Sequence, residues 1–476
     1  MIEFDYYKQS QKLVIKGDKS IIDIVREHFS VNNDGARFVP GRRKFFLQRK
    51  YAITGAGKAE LGLFAEINDF IFHKFGITPT ISRELEKILE YSKEYSLFLD
   101  FVHTLRDYQV ESLNRALKAG RGTFVLGTGA GKTLITAALA ENYFRIFNKS
   151  TTFKCLIIVP DLGLVTQTYN EFIDVGVTCS VSKWTGVKGN ELDLTSNIII
   201  CNAGVLQSKF SSIEALKYVD VLIVDEAHKV KHENKIGKII TEIRTHRKFG
   251  VTGTMPESKF DVWSIIGKLG PVLYVKPSHE LRQEKFLTDV TVSILEIDYG
   301  KDKPPRSTNS YRSEIEFLLR HEKRNNIIKK LAGNLPNNTL ILVNYIEHGE
   351  ILYDLLSSTL SKKVYFIRGS VEVEDREKIK GIIEESDDVV CVAISAIFST
   401  GVNIKNLHNI IFASGGKSFI RTVQSIGRGL RLHTSKSKLN IIDIADILSY
   451  SESHGLKRRE IYDKEKIQFK STIIKL

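Results

Sequence analysis

Cysteine is scarce in this sequence, and its few copies are scattered. The four cysteines are far apart and lie mostly inside apolar runs: Cys155, Cys179, Cys201 and Cys391. Neither a CxxC pair nor a Cys/His cluster occurs, which argues against a zinc or iron–sulfur site. We therefore expect four buried, reduced thiols. Tryptophan is rarer still, and we expect Trp184 and Trp263 to be core residues rather than platforms for base stacking.

Long apolar runs are missing as well. No stretch approaches the roughly 20 apolar residues that a helix needs to cross a bilayer. The first residues, MIEFDYYKQS, carry acidic and polar side chains where a secretory leader has an apolar segment. We therefore expect a cytoplasmic protein without a membrane partner.

Acidic residues are absent from one stretch, residues 35–58, GARFVPGRRKFFLQRKYAITGAGK, in which cations and aromatic residues interleave. Cations hold phosphates, and aromatic faces stack on bases or fill a small core. With a formal net charge of +13 for the whole chain, this clustering favours a polyanionic partner over compositional drift. The nucleic-acid-binding residues that we predict here are Arg42, Arg43, Lys44, Arg49 and Lys50.

The length of 476 residues exceeds what one hydrophobic core normally organises, so several domains are expected. Residues 1–98 have hairpin-like and helical spacing and predict a small basic α+β domain. Strand-like apolar runs then alternate with amphipathic helices over residues 99–283 and again over 284–476, which predicts two parallel α/β sheets. The rhythm lapses over residues 280–312, and within this region we expect KDKPPRSTNSYRS, residues 301–313, to be an exposed loop or linker. The tail predicts a basic helix and a last strand that pack on the second sheet.

The sequence FVLGTGAGKT, residues 124–133, is a candidate phosphate-binding loop. Gly129 and Gly131 allow a tight turn whose backbone N–H groups face phosphate oxygens. Lys132 supplies a charge for the β- and γ-phosphates and Thr133 a hydroxyl for Mg²⁺. The strict pattern GxxxxGK[ST] fails at its first position, which is Leu126. The alternative is a glycine-rich turn between a strand and a helix.

A second motif, VDVLIVDEAHK, places two carboxylates at the end of an apolar strand. Asp225 is positioned to hold Mg²⁺ through water, and Glu226 to orient and deprotonate the attacking water, the two tasks that ATP hydrolysis requires. The alternative, a pair of residues that caps the next helix, suits one acid better than the whole DEAH tetrad.

A third motif, QSIGRGLR, occupies residues 424–431. Arg428 and Arg431 share one face if the segment is helical, with Gln424 one turn earlier. An arginine supplied across a cleft can neutralise charge on a transferring phosphoryl group. The alternative is a solvated basic helix end.

Together the three motifs resemble those of superfamily 2 helicases and translocases, in which two RecA-like domains sandwich ATP. The family's loop usually reads AxTGxGKT, and LGTGAGKT matches it from Thr128 onward. The resemblance implies an α/β fold of two tandem RecA-like parallel-sheet domains with a small α+β N-terminal domain. It also implies ATP and Mg²⁺ as cofactors, with the loop residues Thr128, Gly129, Ala130 and Gly131 around the phosphates.

The resemblance assigns further roles to positions that would each otherwise be read as loop or capping residues. It implies adenine contacts from Arg106 and Gln109 of LRDYQ. It implies coupling of hydrolysis to strand movement by His228 and by Thr252 and Thr254 of the TGT motif. The remaining positions implied are the nucleic-acid contacts Pro160, Gly369 and Thr400 and the nucleotide-cleft residue Gly401.

The compact length, the basic N-terminal module and the tail HGLKRREIYDKEKIQF are similar to UvsW-type phage recombination helicases. That resemblance implies ATP-driven remodelling of branched DNA, with single-stranded and duplex DNA and RNA–DNA hybrids also bound. It further implies recombination or single-strand-binding proteins as partners, a monomer on DNA, and the host cytoplasm if the gene is phage-encoded.

Three alternatives remain open at this stage. The chain could be an RNA helicase, because the core motifs contact backbone and distinguish DNA from RNA weakly. It could be a translocase subunit that feeds a separate nuclease. It could also be an ATP-gated nucleic-acid-binding module with negligible turnover, against which Glu226 and the arginine pair both argue.

Overall fold

The computed structural model describes residues 1–33, 48–91, 93, 96–98, 104–187, 189–208, 210–304, 310–367, 381, 384–395, 406–414 and 438–476. These residues form two compact units. The first comprises Met1–Gly127 and Gly131–Lys276, and the second comprises Pro277–Leu476 and Thr128–Ala130. The domain boundaries expected at 98/99 and 283/284 stay predictions.

The first unit begins with a four-stranded mixed sheet of order β5-β2-β1-β6. The strands of this sheet are β1 (Ile2–Tyr7), β2 (Lys12–Gly17), β5 (Lys58–Glu60) and β6 (Thr80–Ile81). A separate antiparallel pair consists of β3 (Ser30–Asn32) and β4 (Arg49–Tyr51). The helices are α1 (Lys19–His28), α2 (Phe64–Phe75) and α3 (Arg83–Tyr91). Part of the predicted hairpin, residues 34–47, lies outside the described residues, whereas the predicted helix after it is confirmed as α2.

A seven-stranded parallel sheet of order β13-β7-β12-β11-β8-β10-β9 completes the first unit. Its strands are β7 (Gly122–Leu126), β8 (Cys155–Val159), β9 (Val181–Trp184), β10 (Ile198–Asn202), β11 (Val221–Asp225), β12 (Arg247–Thr252) and β13 (Val272–Lys276). The helices are α4 (Asp107–Ala119), α5 (Lys132–Ile146), α6 (Leu162–Val175), α7 (Ala203–Ser208), α8 (Phe210–Leu216), α9 (Lys235–Glu242) and α10 (Lys259–Leu269).

The apolar runs that predict strands in this unit, TFVLG, CLIIVP, NIIICNAG, VDVLIVDEAH and KFGVTGT, are confirmed as β7, β8, β10, β11 and β12. They are nearly continuous buried sequences because helices can cover both faces of a parallel sheet. The prediction missed β9 and β13. Both are edge strands whose residues are half-buried or exposed in most positions, so they lack that apolar signature.

The second unit contains another seven-stranded parallel sheet, of order β16-β17-β15-β18-β19-β14-β20. Its strands are β14 (Asp289–Asp298), β15 (Thr339–Val343), β16 (Lys363–Ile367), β17 (Val389–Ile394), β18 (Asn409–Phe412), β19 (Lys438–Asp446) and β20 (Phe469–Lys475). The helices are α11 (Ser278–Gln283), α12 (Tyr311–Arg320), α13 (Glu322–Asn334), α14 (Ile346–Ser357) and α15 (Ser451–Lys464). The α/β fold class with two parallel sheets is confirmed.

The region 280–312, in which the sequence rhythm lapses, contains a strand that the sequence did not predict, β14. This strand of ten residues pairs with β19 on one side and β20 on the other. Its sequence, DVTVSILEID, mixes apolar and polar residues instead of forming a continuous apolar run. The predicted tail is confirmed, because α15 packs against β19 and β20 adds to β14.

The core confirms two further expectations. All four cysteines are buried and unpaired. Trp184 is buried in the first parallel-sheet core, and Trp263 packs, partly buried, against the core of the N-terminal sheet. In the part of the chain that the structure describes, no helix is both long and apolar enough to cross a membrane.

Candidate active site

The phosphate loop, the TGT motif and the DEAH motif lie at one edge of the first parallel sheet. The phosphate loop follows β7, the TGT motif begins at the last residue of β12, and the DEAH motif begins at the last residue of β11. These three strands are neighbours in the order β7-β12-β11 and are all parallel. Their carboxyl ends therefore converge, at the edge where open α/β sheets bind ligands.

The phosphate loop ends at the first residue of α5. Gly131, directly before that helix, has a φ of 75°, and Gly129 has a φ of 83°, both in the left-handed region that favours glycine. The Nζ of Lys132 donates to the carbonyl oxygen of Leu126 at 3.4 Å, so the lysine folds back across its own loop. Thr133 is the second residue of α5, in the first turn, where helical N–H groups remain available to an anion.

Gly253 of the TGT motif is a position that sequence reasoning did not single out. A methyl group built on it would lie 3.9 Å from the Nζ of Lys132 and 3.8 Å from the carbonyl oxygen of Leu126. The turn after β12 therefore approaches the loop lysine closely. The available signal was the small residue between two threonines directly after a buried strand.

Gln109 lies against the amino-terminal end of α5. Its Oε1 accepts a hydrogen bond from the backbone N–H of Arg106 at 2.9 Å, which fixes the side chain at the start of α4. Gln109 is buried, and a Cβ atom at Gly131 would stand 2.5 Å from its Nε2. The Nη1 of Arg106 donates to the hydroxyl of Tyr108 at 3.2 Å. The predicted adenine motif therefore lies directly beside the phosphate loop.

The two carboxylates of the DEAH motif are held differently. Asp225 ends β11, and its Oδ1 accepts the backbone N–H of Glu226 at 2.8 Å. Glu226 has a φ of 49°, a left-handed conformation that costs free energy for a residue with a Cβ. A short 3₁₀ helix, Ala227–Lys229, follows.

A chain of hydrogen bonds joins the DEAH motif to the TGT motif. The Nδ1 of His228 lies 3.2 Å from Glu226 Oε2 and 2.9 Å from Thr252 Oγ1. The Thr252 hydroxyl donates to the carbonyl oxygen of Thr254 at 2.9 Å. Because the single proton of that hydroxyl is used in the hydrogen bond to Thr254, Nδ1 of His228 must donate to the hydroxyl oxygen. The structure thus brings Glu226, His228 and both threonines together.

Oxygen ligands suited to Mg²⁺ are present at this edge. The carboxylate of Asp225 and the hydroxyl of Thr133 are hard oxygen donors, which Mg²⁺ prefers. Within the described residues, no group of three or more His, Cys, Asp or Glu side chains could hold a metal ion alone. Mg²⁺ commonly uses one or two protein ligands together with phosphate oxygens, so the oxygens of Asp225 and Thr133 fit it.

The predicted nucleic-acid contacts are only partly described. Pro160 follows β8, and the next residue, Asp161, pairs with Lys229 of the 3₁₀ helix at 3.3 Å. Arg49 is paired with Glu27 at 2.5 Å, and the Nζ of Lys50 lies 5.8 Å from the ring centroid of Phe260.

The other predicted site residues lie outside the described residues. They are the nucleotide-site residues Gln424, Arg428, Arg431 and Gly401 and the nucleic-acid contacts Arg42, Arg43, Lys44, Gly369 and Thr400.

Two family models match this chain. The model for "Type III restriction enzyme, res subunit" matches residues 102–257, and that for "Helicase conserved C-terminal domain" matches residues 322–433. With the two parallel sheets, these matches define the class: the chain belongs to the superfamily 2 helicases and is an ATP-dependent helicase.

Among individual proteins, the chain is similar to the ATP-dependent DNA helicase uvsW of Enterobacteria phage T4, with 27% identity over 485 residues, 95% of this chain and 95% of the relative. Two solved structures share the fold. The DNA-bound Type ISP restriction-modification enzyme LlaBIII has a TM-score of 0.59 at 16% identity, over 85% of this chain and 34% of that one. The Pyrococcus furiosus Hef helicase domain has a TM-score of 0.52 at 14% identity, over 75% of this chain and 98% of that one.

Proposed function

We propose that this chain hydrolyses ATP to move along DNA and that it remodels branched DNA. The products would be migrated Holliday junctions, regressed forks and unwound D-loops or R-loops. The observation that carries the ATP half is the convergence of the phosphate loop, the two DEAH carboxylates and the TGT motif at one sheet edge. The DNA half is supported by similarity, over 95% of both chains, to a protein named as an ATP-dependent DNA helicase.

The residues of the first unit divide the hydrolytic work. Lys132 and the loop residues Thr128 to Gly131 bind the phosphates, and Gln109 with Arg106 holds the base. Glu226 orients the attacking water and accepts its proton. Thr133 and Asp225 would hold Mg²⁺, which neutralises phosphate charge when bound.

In this proposal, residues of the second family-model region also act on the nucleotide. Arg428 and Arg431 stabilise the negative charge on the transferring phosphoryl group. An arginine has this role in many enzymes that transfer a phosphoryl group. Gln424 and Gly401 contact the nucleotide.

The hydrogen-bonded chain from Glu226 to Thr254 gives hydrolysis a route to the DNA-contacting loops. His228 Nδ1–H is shared between Glu226 and Thr252. A change in the charge or position of Glu226 during the cycle alters that sharing and moves the TGT turn, which approaches Lys132. Coupling between two sites requires an element with two arrangements that both sites influence, and the TGT turn would be that element.

DNA is held through its backbone, because phosphate contacts carry no sequence information and a motor must pass any base. Pro160, Gly369 and Thr400 contact the tracked strand. The acid-free stretch of residues 35–58, with Arg42, Arg43, Lys44, Arg49 and Lys50, holds duplex arms. The proposed working form is a monomer on DNA, with RNA–DNA hybrids as further substrates and recombination or single-strand-binding proteins as partners.

The test is steady-state ATP hydrolysis at fixed salt with single-stranded DNA, duplex DNA, a four-way junction and RNA in parallel. Lys132→Ala is the control and should abolish hydrolysis while DNA binding persists. Strong stimulation by junction or single-stranded DNA supports the proposal. Preferential stimulation by RNA would reassign the substrate and leave the active site in place, whereas persisting activity of Lys132→Ala would reject the site itself.

A second candidate, a translocase subunit that works with a nuclease, is favoured by one observation. The family model that matches residues 102–257 describes a restriction-enzyme subunit. A nuclease recovered stoichiometrically with the tagged chain would favour this candidate, and branch migration by the purified chain alone would reject it.

A further inference from the structure

A pocket lies at the opposite edge of the first parallel sheet from the phosphate loop. Its volume, counted as the space that the centre of a water-sized molecule can occupy, is about 20 Å³. Its wall combines residues of the N-terminal sheet with residues of α9, of α10 and of the starts of parallel strands. Arg121 directly precedes β7, and Lys248 is the second residue of β12. Because β7 and β12 are parallel neighbours, both cations lie at the amino-terminal ends of strands whose carboxyl ends carry the active site.

The charges around this pocket do not balance. Three lining residues carry cationic side chains, namely Arg121, Lys248 and Lys268, whereas Glu60 is the single carboxylate among the described residues that line it. Glu60 is already shared, since its Oε1 lies 2.6 Å from the Nζ of Lys12 and 3.0 Å from that of Lys268. Among these described residues, Glu60 is therefore the one carboxylate beside four cations, the three lining residues and Lys12. The excess of positive charge is costly to bury without an anion.

Hydrogen-bond donors in the pocket wall are also unsatisfied. The Nε of Arg121, the Oγ of Ser10 and the Nε2 of Gln11 are buried and have no hydrogen-bond partner among the described residues. Arg121 is nevertheless held in place, because its Nη2 donates to the carbonyl oxygen of Lys268 at 2.9 Å. Lys248 donates to the carbonyl oxygens of Ile240 and Ile243, each at 2.7 Å. Fixed cations beside unpaired donors are the chemistry that recognises an oxyanion.

We propose that this pocket binds one small inorganic oxyanion of the sulfate or phosphate class, which joins the N-terminal sheet to the first parallel sheet. Ser10 and Gln11 would contact it from the N-terminal side, and Arg121 and Lys248 from the other. A nucleic-acid phosphate does not fit, because Lys248 is 5% exposed and the side chain of Lys268 is 4% exposed, too little to reach a DNA backbone.

The titration behaviour of the pocket agrees with this proposal. Burial, followed by the charges of Arg121 and Lys248, lowers the pKa of His246 to about 4. Burial, together with Arg121, also lowers the pKa of Lys248 well below its usual range. Burial is the larger cause of both shifts, the neighbouring cations add to it, and an anion in the pocket would oppose both.

The experiment measures binding of radiolabelled sulfate by equilibrium dialysis, after exchange into an oxyanion-free buffer. It uses the full chain with Lys132→Ala, so that the phosphate loop does not add a second oxyanion site. We expect about one sulfate per chain with competition by inorganic phosphate, and a saturable rise in Tm of about 2–4 °C. Arg121→Met and Lys248→Met, each added to that chain, should weaken binding at least about tenfold, whereas Lys118→Met, at an exposed cation on α4, should not.

Several outcomes would overturn the proposal. They are the absence of saturable binding, equal binding by the Arg121→Met chain, or the same Tm rise with chloride at equal ionic strength. A duplex-DNA affinity that falls as far as sulfate binding in Arg121→Met would assign the pocket to DNA instead. Methionine removes the unpaired Nε but also the Nη2 hydrogen bond to the carbonyl oxygen of Lys268, so the fold of the variant is checked by circular dichroism in oxyanion-free buffer. If it does not fold, Ser10→Ala provides the same comparison.

Discussion

His228 occupies a central place among individual residues, because one ring nitrogen faces both the DEAH carboxylate and the TGT motif. Its Nδ1 lies within hydrogen-bonding distance of Glu226 and of Thr252. Neither contact involves a residue that would hold phosphate. The histidine can therefore be removed without removing a phosphate ligand, which makes coupling separable from hydrolysis.

His228→Ala should uncouple the two activities. We expect ATP hydrolysis to persist while unwinding of a forked DNA falls about tenfold, because the link from Glu226 to the TGT turn is lost. The measurement compares ATP consumed with base pairs opened in the same reaction. His232→Ala, at a nearby partly buried histidine outside the chain of hydrogen bonds, is the control. A proportional loss of both activities would contradict a coupling role.

Gly131→Ala should impair nucleotide binding. Its backbone φ is 75°, and a Cβ atom would lie 2.5 Å from Gln109 Nε2, so the loop or the glutamine must move. We expect an affinity for a fluorescent ATP analogue that is about tenfold lower, since left-handed alanine costs roughly 1–2 kcal/mol. Gly163→Ala on α6, where a Cβ meets no atom within 4 Å, should leave the affinity unchanged. Wild-type affinity of Gly131→Ala would show that the loop is more adaptable than this geometry implies.

At the scale of elements, α15 is held to the second sheet by a buried ion pair. The Nε of Arg458 lies 3.0 and 2.8 Å from the two carboxylate oxygens of Asp443 on β19, and the hydroxyl of Tyr462 donates to Oδ2 at 3.0 Å. Both charged side chains are almost fully buried. The neighbouring Arg459 pairs with Glu296 on β14 at 2.6 Å but is 30% exposed.

Arg458→Gln should therefore destabilise the protein far more than Arg459→Gln. Removing one partner of a buried pair typically costs about 3–5 kcal/mol, whereas a pair that remains partly open to water contributes less, about 0–1 kcal/mol. Urea unfolding, followed by circular dichroism, measures both. Equal effects of the two substitutions would mean that the pair with Asp443 does not anchor α15.

A second pairing between elements joins β5 to α10. Burial by itself would raise the pKa of Glu60, but the charges of Lys268 and Lys12 outweigh it and lower the pKa from 4.5 to about 2. Because the folded-state pKa is lowered, the stability that Glu60 contributes is fully present above pH 4.5 and is lost as the pH falls towards 2. The contact is between parts of the first unit that are far apart in sequence.

Glu60→Gln should cost about 3 kcal/mol at pH 7, because Lys268 is left buried without its partner. The difference from wild type should shrink as the pH falls from 4.5 towards 2, as measured by urea unfolding across that range. Glu27→Gln, at an exposed ion pair with Arg49, should cost no more than about 1 kcal/mol. A difference that stays constant with pH would indicate that the carboxylate is not the group responsible.

At the scale of the whole molecule, the question is whether the net charge of +13 acts diffusely or through the acid-free stretch. Neutralising Arg42, Arg43 and Lys44 together should weaken junction binding and reduce the slope of log K against log salt by up to about three. Neutralising three exposed cations of the tail, Lys457, Lys466 and Lys470, is the control of equal charge. Equal effects on the slope would mean that net charge alone determines binding.

The sequence by itself determined the parallel strands and the chemistry that follows them. Strands of a sheet covered on both faces are continuous apolar runs, and β7, β8, β11 and β15 could be recognised for that reason. Phosphate loops and carboxylates at strand ends are also local signals, so Lys132, Asp225 and Glu226 could be named with their spacing. Such features are encoded by residues within about ten positions of one another.

Only the tertiary structure decided which distant residues meet. The half-exposed edge strands β9 and β13 and the mixed strand β14 acquire their place from neighbours elsewhere in the chain. Gly253 approaches Lys132, and Glu60 binds Lys268, across more than a hundred residues of sequence. No periodicity in the sequence records these contacts, because they depend on the order in which strands join the sheet, and that order also places the oxyanion pocket opposite the active site.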